Sequence, residues 1–460
     1  MNEHQPGRQS SDPGAPGDDA LRTASALLAD AVITAVRTYT DTAVLFGRDG
    51  RIVGLRSRQE VASLPVPVTA LPGRALLPGF VNAHSHVFQR RLRGRTHRGV
   101  AERDSFWTWR ELMYAEASLL TPESLFDIAR SCYAEMLRAG YTTVGEFHYV
   151  HHAPDGTPYA NRLAMSEAII AAAREVGIRL ALLPVAYAQA GFGRPPEPAQ
   201  RRFCFPDVGS YLSFVDDLRS AIRDERHGLG VAPHSVRAVP PDWLTEIAAY
   251  AQREHLVLHV HASEQTAEVE QVLAHYGYTP IEHLEQHGCL RPSTTIVHAT
   301  HAGGQDCRLI EASGATVCVC PTTEGDLGDG IAPYAWFVEH DIPLATGSDG
   351  QTRIDPFEEL RWAEFSARMR YQGRRVLAAG GESPGERLFA AGTANAGRSL
   401  GVQAGSLEPG MWADLIAVDL HHPALLGATT DDLRDTLLFG AGADVVTNVW
   451  VSGREVVGRA

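Results

Sequence analysis

The sequence predicts an α/β protein: a (β/α)8 TIM-like barrel with a small β-sandwich domain built from both chain ends. Two observations carry that prediction. Eight apolar runs alternate with amphipathic helical patterns through the middle of the 460-residue chain, and short β-like runs gather at its two ends. A doubly wound open sheet is the alternative that the same alternation allows.

The runs come in order at Leu77–Ala83, Thr143–Phe147, Leu180–Val185, Leu229–Ala232, Val257–Val260, Thr295–Val297, Thr316–Val319 and Pro343–Thr346. Short, nearly continuous apolar runs are what strands buried on both faces require. The helices between them are legible from their ends. Thr121 is placed to cap, Pro122 suits the first helical position and Gly140 suits the exit, which predicts a helix over Thr121–Ala139. The flanking β-like runs are Thr42–Phe46 and Ile52–Gly54 on one side, Ala413–Val418 and Val445–Val451 on the other. Residues 1–20, polar and rich in Gly, Pro and Asp, read as a disordered tail. Residues 21–75 and 400–460 read as the small β domain, and 76–399 as the barrel.

Charge narrows the partners. A formal net charge of -14 argues against nucleic acid or an anionic membrane, because both need a basic face. The chain has no lysine, so all 41 basic residues are arginine, and an anionic substrate would need a local arginine cluster. Six scattered cysteines are no disulfide framework. Cys318 and Cys320 alternate along an apolar run and read as buried, reduced thiols rather than half of a structural zinc site. No signal peptide is visible and no apolar stretch approaches the ~20 residues of a membrane helix, so the expected location is cytoplasmic.

Ionisable residues collect where the apolar runs end. His84-Ser-His86 follows the first run, then Glu146-Phe-His148-Tyr149, His234-Ser-Val-Arg237, His259-Val-His261-Ala-Ser-Glu264, His298-Ala-Thr-His301 and Ser348-Asp349. In a barrel those are the C-terminal strand ends, which together form one active-site mouth. Neutral imidazole is a standard zinc ligand and a carboxylate completes such a shell. A single His-x-His or Ser-Asp is commonly incidental. Their joint occurrence at successive strand ends points to a metal-dependent hydrolase.

The order His-x-His, His, His, Asp on the first, fifth, sixth and eighth runs resembles the amidohydrolase superfamily. The resemblance implies His84, His86, His261 and Asp349 as metal ligands, with His298 polarising substrate or stabilising charge. Binuclear members bridge two metals with a carboxylated lysine, which a chain without lysine cannot supply. Glu264, three residues past His261, matches the proton shuttle of mononuclear deaminases. The expected cofactor is therefore one Zn2+, with Fe2+ also fitting. The expected roles are Asp349 taking a proton from the attacking water, Glu264 protonating the leaving nitrogen and His298 assisting.

A narrower resemblance runs from about Leu77 to Arg370. It rests on Asp104-Ser-Phe-Trp-Thr-Trp-Arg110-Glu-Leu-Met-Tyr114, Gly145-Glu-Phe-His-Tyr-Val-His-His152, His234-Ser-Val-Arg237, Leu327-Gly-Asp-Gly-Ile331 and Glu358-Glu-Leu-Arg-Trp362. These segments are similar to the N-formimino-L-glutamate deiminases, hydrolases of histidine degradation that release ammonia and leave a formyl group. The alternative is an aminohydrolase acting on a nucleobase or triazine ring. A dicarboxylate substrate needs cationic partners, and His234 and Arg237 lie together at one strand end to face a carboxylate. The resemblance further implies Gln89, Tyr149 and Arg110 as substrate contacts, with Arg110 reaching in from a neighbouring subunit and hence a homodimer. His148, His151, His152, His259 and His301 are expected behind the ligands or at the surface. One departure from the family pattern is Gly350-Gln351-Thr352 directly after Asp349.

Overall fold

A computed structural model of the chain describes residues 24–97, 105–222 and 224–458. The tail expected over 1–20, and Asp104, lie outside the described residues. The N-terminal part forms β1 (Ser25–Ile33), β2 (Thr38–Phe46), β3 (Ile52–Ser57) and β4 (Val68–Pro78). The middle supplies β5 (Phe80–Ser85), β6 (Tyr141–His148), β7 (Arg179–Ala186), β8 (Gly228–Leu229) and β9 (Ala232–Pro233). It continues with β10 (Leu258–Ala262), β11 (Thr294–His298), β12 (Thr316–Val319) and β13 (Leu344–Thr346). The C-terminal part adds β14 (Leu415–Asp419), β15 (Val446–Val451) and β16 (Arg454–Gly458).

The middle strands pair in parallel throughout. One sheet runs β5-β6-β7-β8 with β9 also beside β7, and a second runs β10-β11-β12-β13. Single parallel bridges join the sheets at both edges: Val231 to Leu258 and Ser235 to His261 on one side, Ser85 to Asp349 on the other. Every residue of β5, β6, β7, β10, β11, β12 and β13 is buried, which explains their continuous apolar or small character. Helices fill the connections as expected. In Pro122–Ala139 the Thr121 hydroxyl accepts from the Ser124 backbone N–H at 3.2 Å, and Gly140 ends the helix at φ +102°. Its buried face, including Leu125, Ala129, Cys132, Tyr133 and Met136, keeps the helical spacing that docks it on the strands.

The two chain ends share one seven-stranded sheet, ordered β16-β15-β14-β4-β1-β2-β3. Strand β1 runs parallel to β4, and the other pairs are antiparallel. The run read as Leu77–Ala83 is in fact two strands. Leu77 and Pro78 close β4 and pair with β14, whereas β5 starts at Phe80. Gly79 makes the crossing: a Cβ there would sit 2.2 Å from the Thr142 side chain, and its N–H donates to the Asp414 carbonyl. Asp414 also anchors the outer sheet to the parallel strands. Its carboxylate takes two bonds from the Arg179 guanidinium, at 2.8 and 2.9 Å, with both side chains fully buried. All six cysteines are free.

Candidate active site

Three imidazoles meet at the C-terminal ends of the parallel strands. His84 Nε2 lies 3.1 Å from His86 Nε2 and 3.0 Å from His261 Nε2, and all three rings are buried. Asp349 Oδ1 lies 3.6 Å from His84 Nε2 and 3.3 Å from His86 Nε2. The backbone explains how residues so distant in sequence converge. The Asp349 N–H donates to the His84 carbonyl at 3.0 Å, and the His86 N–H donates to the Asp349 carbonyl at 3.1 Å. Gly347 permits this approach, because a Cβ there would lie 2.7–2.8 Å from the backbone and Cβ of His84. Ser263, His298, Asp349 and Gln351 all adopt positive φ, between 45° and 76°, although none is glycine. Such strained positions persist where surrounding contacts over-determine them, as at a built site.

The donor set fits a metal. The His86 Nδ1–H donates to the Phe147 carbonyl at 2.9 Å and the His261 Nδ1–H to the His234 carbonyl at 3.0 Å. A carbonyl only accepts, so in each neutral ring the proton sits on Nδ1 and Nε2 presents a lone pair. Both lone pairs face His84 Nε2, which could donate to only one of them. A cation between the nitrogens resolves that conflict. Burial holds His84 and His261 well below the ordinary imidazole range and His86 at about 3, so all three stay neutral and ready to coordinate.

A second group stands beside the first. His298 Nε2 is 3.7 Å from both Glu264 Oε1 and Asp349 Oδ2, and His298 Nδ1 is 3.3 Å from Glu324 Oε1. Burial opposes charge on His298, but Glu264, Glu324 and Asp349 outweigh it and hold the imidazole protonated well above its ordinary range. Burial raises Glu264 and lifts Asp349 to about 6 and Asp329 to about 9. Glu264, Asp349 and the imidazolium line one cavity and can exchange protons across it. Glu264 is held by Glu268, whose carboxylate accepts from the Glu264 N–H at 3.0 Å.

A single cavity joins this chemistry to the expected substrate contacts. Gln89, Arg110, Tyr149, His234 and Arg237 line it together with His86, His261, Glu264, His298 and Asp349. The Gln89 amide donates to the Tyr149 hydroxyl at 2.9 Å. Arg110 and Arg237 lie over the Trp107 indole, at 4.6 and 5.8 Å, and neither pairs with a carboxylate among the described residues. Arg110 reaches the cavity of its own chain, from the helix Phe106–Ser118 that packs against the site. Of the histidines expected behind the ligands or at the surface, His148, His151, His152 and His259 are buried, His259 bonding the Ser399 carbonyl at 2.8 Å, and His301 is half-buried against the Asp329 carbonyl at 2.8 Å. Glu324, Asp329 and the Gln351 contacts are absent from the sequence-based site. Gln351 accepts from Ser348 at 2.8 Å and donates to Ser85 and the Asp349 carbonyl, each at 2.9 Å, so the departure at this position ties the ligand loop to β5.

The sequence profile of the amidohydrolase family matches residues 75–456. The chain belongs to that family. This amidohydrolase is 41% identical to the formimidoylglutamate deiminase of Pseudomonas aeruginosa over 387 residues, 84% of this chain and 85% of the relative. Its fold superposes on a crystal structure of an amidohydrolase from Brucella melitensis with a TM-score of 0.87 and 34% identity, covering 94% of this chain and 95% of the other. An adenosine deaminase from Xanthomonas campestris with bound zinc superposes with a TM-score of 0.79 at 24% identity, covering 94% and 92%, which speaks to the fold alone. Family and neighbours imply a TIM-like barrel and a metal-dependent enzyme, in accord with the parallel sheets and the His84, His86 and His261 cluster. Among the described residues of this amidohydrolase no helix is long and apolar enough to cross a membrane.

Proposed function

We propose that the chain hydrolyses N-formimino-L-glutamate to N-formyl-L-glutamate and ammonia, as its relative's name describes. The observation that carries this reading is the meeting of the two groups in one cavity. Arg110 and Arg237, cations without carboxylate partners, open onto the same space as the imidazoles, Asp349 and Glu264. Guanidinium forks suit a dicarboxylate and have no comparable use for a neutral ring. His234, lining the same end, offers a further contact.

His84, His86, His261 and Asp349 would hold one metal, and three nitrogens with one oxygen suit zinc, with iron also compatible. The bound ion supplies Lewis acidity and lowers the pKa of water at the site. The remaining steps belong to side chains. Asp349 takes the proton of the attacking water as its oxygen adds to the formimino carbon. The His298 imidazolium, fixed by Glu264 and Glu324, stabilises the negative charge that builds at the tetrahedral stage. Glu264, its carboxyl raised by burial, protonates the imino nitrogen as the oxygen adds. The hydroxyl proton of the tetrahedral stage passes to the same nitrogen as the C–N bond breaks. As ammonia departs, the proton held by Asp349 restores Glu264. Gln89, Tyr149, Arg110, His234 and Arg237 hold the carboxylates and so the reacting carbon.

The edge bridges support reading the middle strands, from β5 to β13, as one closed (β/α)8 barrel, with the single seven-stranded sheet of the two chain ends as its satellite in place of the expected sandwich. Six free thiols suit a reducing cytoplasm. A coupled ammonia assay tests the activity. N-formimino-L-glutamate is expected to turn over where guanine and cytosine do not, and release of ammonia from a nucleobase alone would overturn the reading.

A further inference from the structure

We propose that Gln200 is a positioning residue that turns the phenol O–H groups of Tyr114 and Tyr187 into the cavity as donors to a substrate carboxylate. The proposal rests on the dicarboxylate reading above and adds residues outside the strand-end motifs. Gln200 is buried in the short helical segment Pro198–Phe203, at 1% exposure, behind the cavity wall. Its Oε1 accepts from the Glu197 N–H at 2.9 Å, and a backbone N–H can only donate, so the orientation of the amide is fixed. The two Nε2 protons then go to the Tyr114 and Tyr187 hydroxyl oxygens, at 3.0 and 2.9 Å.

Proton counting decides the rest. Each phenol oxygen accepts from Gln200, which leaves its own O–H to donate elsewhere. The two phenol oxygens share the Gln200 Nε2 donor and so lie side by side, which lets one of their two protons lie between them. The other has no protein acceptor among the described residues. Both rings line the cavity, and burial keeps the Tyr187 phenol protonated well beyond neutral pH. Arg110 stands 5.5 Å over the Tyr114 ring, and Arg237 bears electrostatically on Tyr187. This end of the cavity therefore presents guanidinium and hydroxyl donors, none of them bonded to a carboxylate among the described residues. A ligand carboxylate satisfies them, whereas a carboxamide of the same size turns an N–H against a donor. Leaving buried donors unpaired in this way costs about 1–3 kcal/mol, roughly 5- to 150-fold in affinity. The phenols thus discriminate acid from amide where guanidinium charge alone would only attract.

Gln200→Glu tests the orientation, because Glu keeps the bond from Glu197 but offers the phenols an acceptor and draws their protons out of the cavity. The KM for N-formimino-L-glutamate is expected to rise about tenfold or more, with the loss falling on KM rather than kcat. Gln200→Met leaves the phenols free to turn and is expected to cost less than Gln200→Glu; equal losses would signify packing and overturn the proposal. Calorimetry with glutarate and its monoamide reads the preference without turnover. Loss of that preference in Gln200→Glu supports the proposal even if the wild type releases no ammonia, an outcome that would instead sink the functional reading. An active wild type with an unchanged glutarate preference in Gln200→Glu overturns the proposal alone. If Gln200→Glu does not fold, the Tyr114→Phe/Tyr187→Phe double variant decides. Its acid-over-amide preference is expected to fall at least about fivefold, and an unchanged preference overturns the proposal.

Discussion

At the proposed metal site protons compete only at the carboxylate, because burial has already kept His84, His86 and His261 from charging. With Asp349 lifted to about 6 and His86 at about 3, acid reaches the oxygen ligand first. Below about pH 6 the protonated Asp349 carboxyl no longer coordinates, and metal affinity of the apoprotein is expected to fall about tenfold per pH unit, one proton per metal. A titration of binding against pH checks this; a slope of two or three protons would show the imidazoles titrating instead. Glu264→Gln keeps the side-chain shape but cannot move a proton. Turnover is expected to fall about 100- to 10,000-fold with metal content unchanged, read by ammonia release and elemental analysis. These residues were legible because ligands and acids sit directly after apolar runs. Glu324 carried the same signal, three residues after Pro321 past the run Thr316–Val319, and went unread among hydroxyl residues. Gln200 gave none: its role exists only through bonds to Tyr114 and Tyr187, far away in sequence.

The contact between β5 and the loop after β13 is made of backbone, so side-chain truncation leaves it intact and added bulk does not. Gly347→Ala places a Cβ within 2.7 Å of the His84 carbonyl oxygen. The variant is expected to lose about 1–3 kcal/mol in denaturant melts and to bind metal poorly. Wild-type metal content would show that the strands part without cost. Strand existence was legible from burial on both faces, which demands unbroken apolar runs. What composition could not show was the break at Gly79, because Leu77 and Phe80 are equally apolar yet serve different sheets. Strands β1 and β4 were not read either. In β4 the first residues, from Val68 to Leu71, face partly into solvent and Pro72-Gly73 interrupts the pattern, so no alternation stands out.

At the level of the whole molecule, the outer sheet and the catalytic strands are fastened by one buried ion pair. Arg179 and Asp414 are joined by two bonds, with Ser452 donating its N–H to Asp414 at 2.8 Å and Trp412 stacked 4.4 Å from the guanidinium. Asp414→Ala strands a buried guanidinium and is expected to cost about 3–5 kcal/mol, whereas pairing it with Arg179→Met should recover most of the loss. Thermal unfolding of the single and double variants measures both. The two-ended outer sheet was legible in outline, since β-like runs flank the middle on both sides. This fastening was not, because an arginine in β7 and an aspartate ahead of β14 carry no shared pattern.

The bonds between Asp349 and the His84–His86 backbone also bear on how the enzyme comes into being. During synthesis the first two imidazoles leave the ribosome early, while the carboxylate that completes their shell emerges only after the strands between them. A chain that stops before β10 offers His84 and His86 alone, a poor chelate, whereas His261 joins them with β10 and Asp349 only after β13. The proposed four-ligand site is thus completed only when the loop after β13 docks against β5, a long-range contact of a kind that forms slowly. Fragments arrested before Gly347 carry the three imidazoles but lack the Asp349 carboxylate of the proposed site.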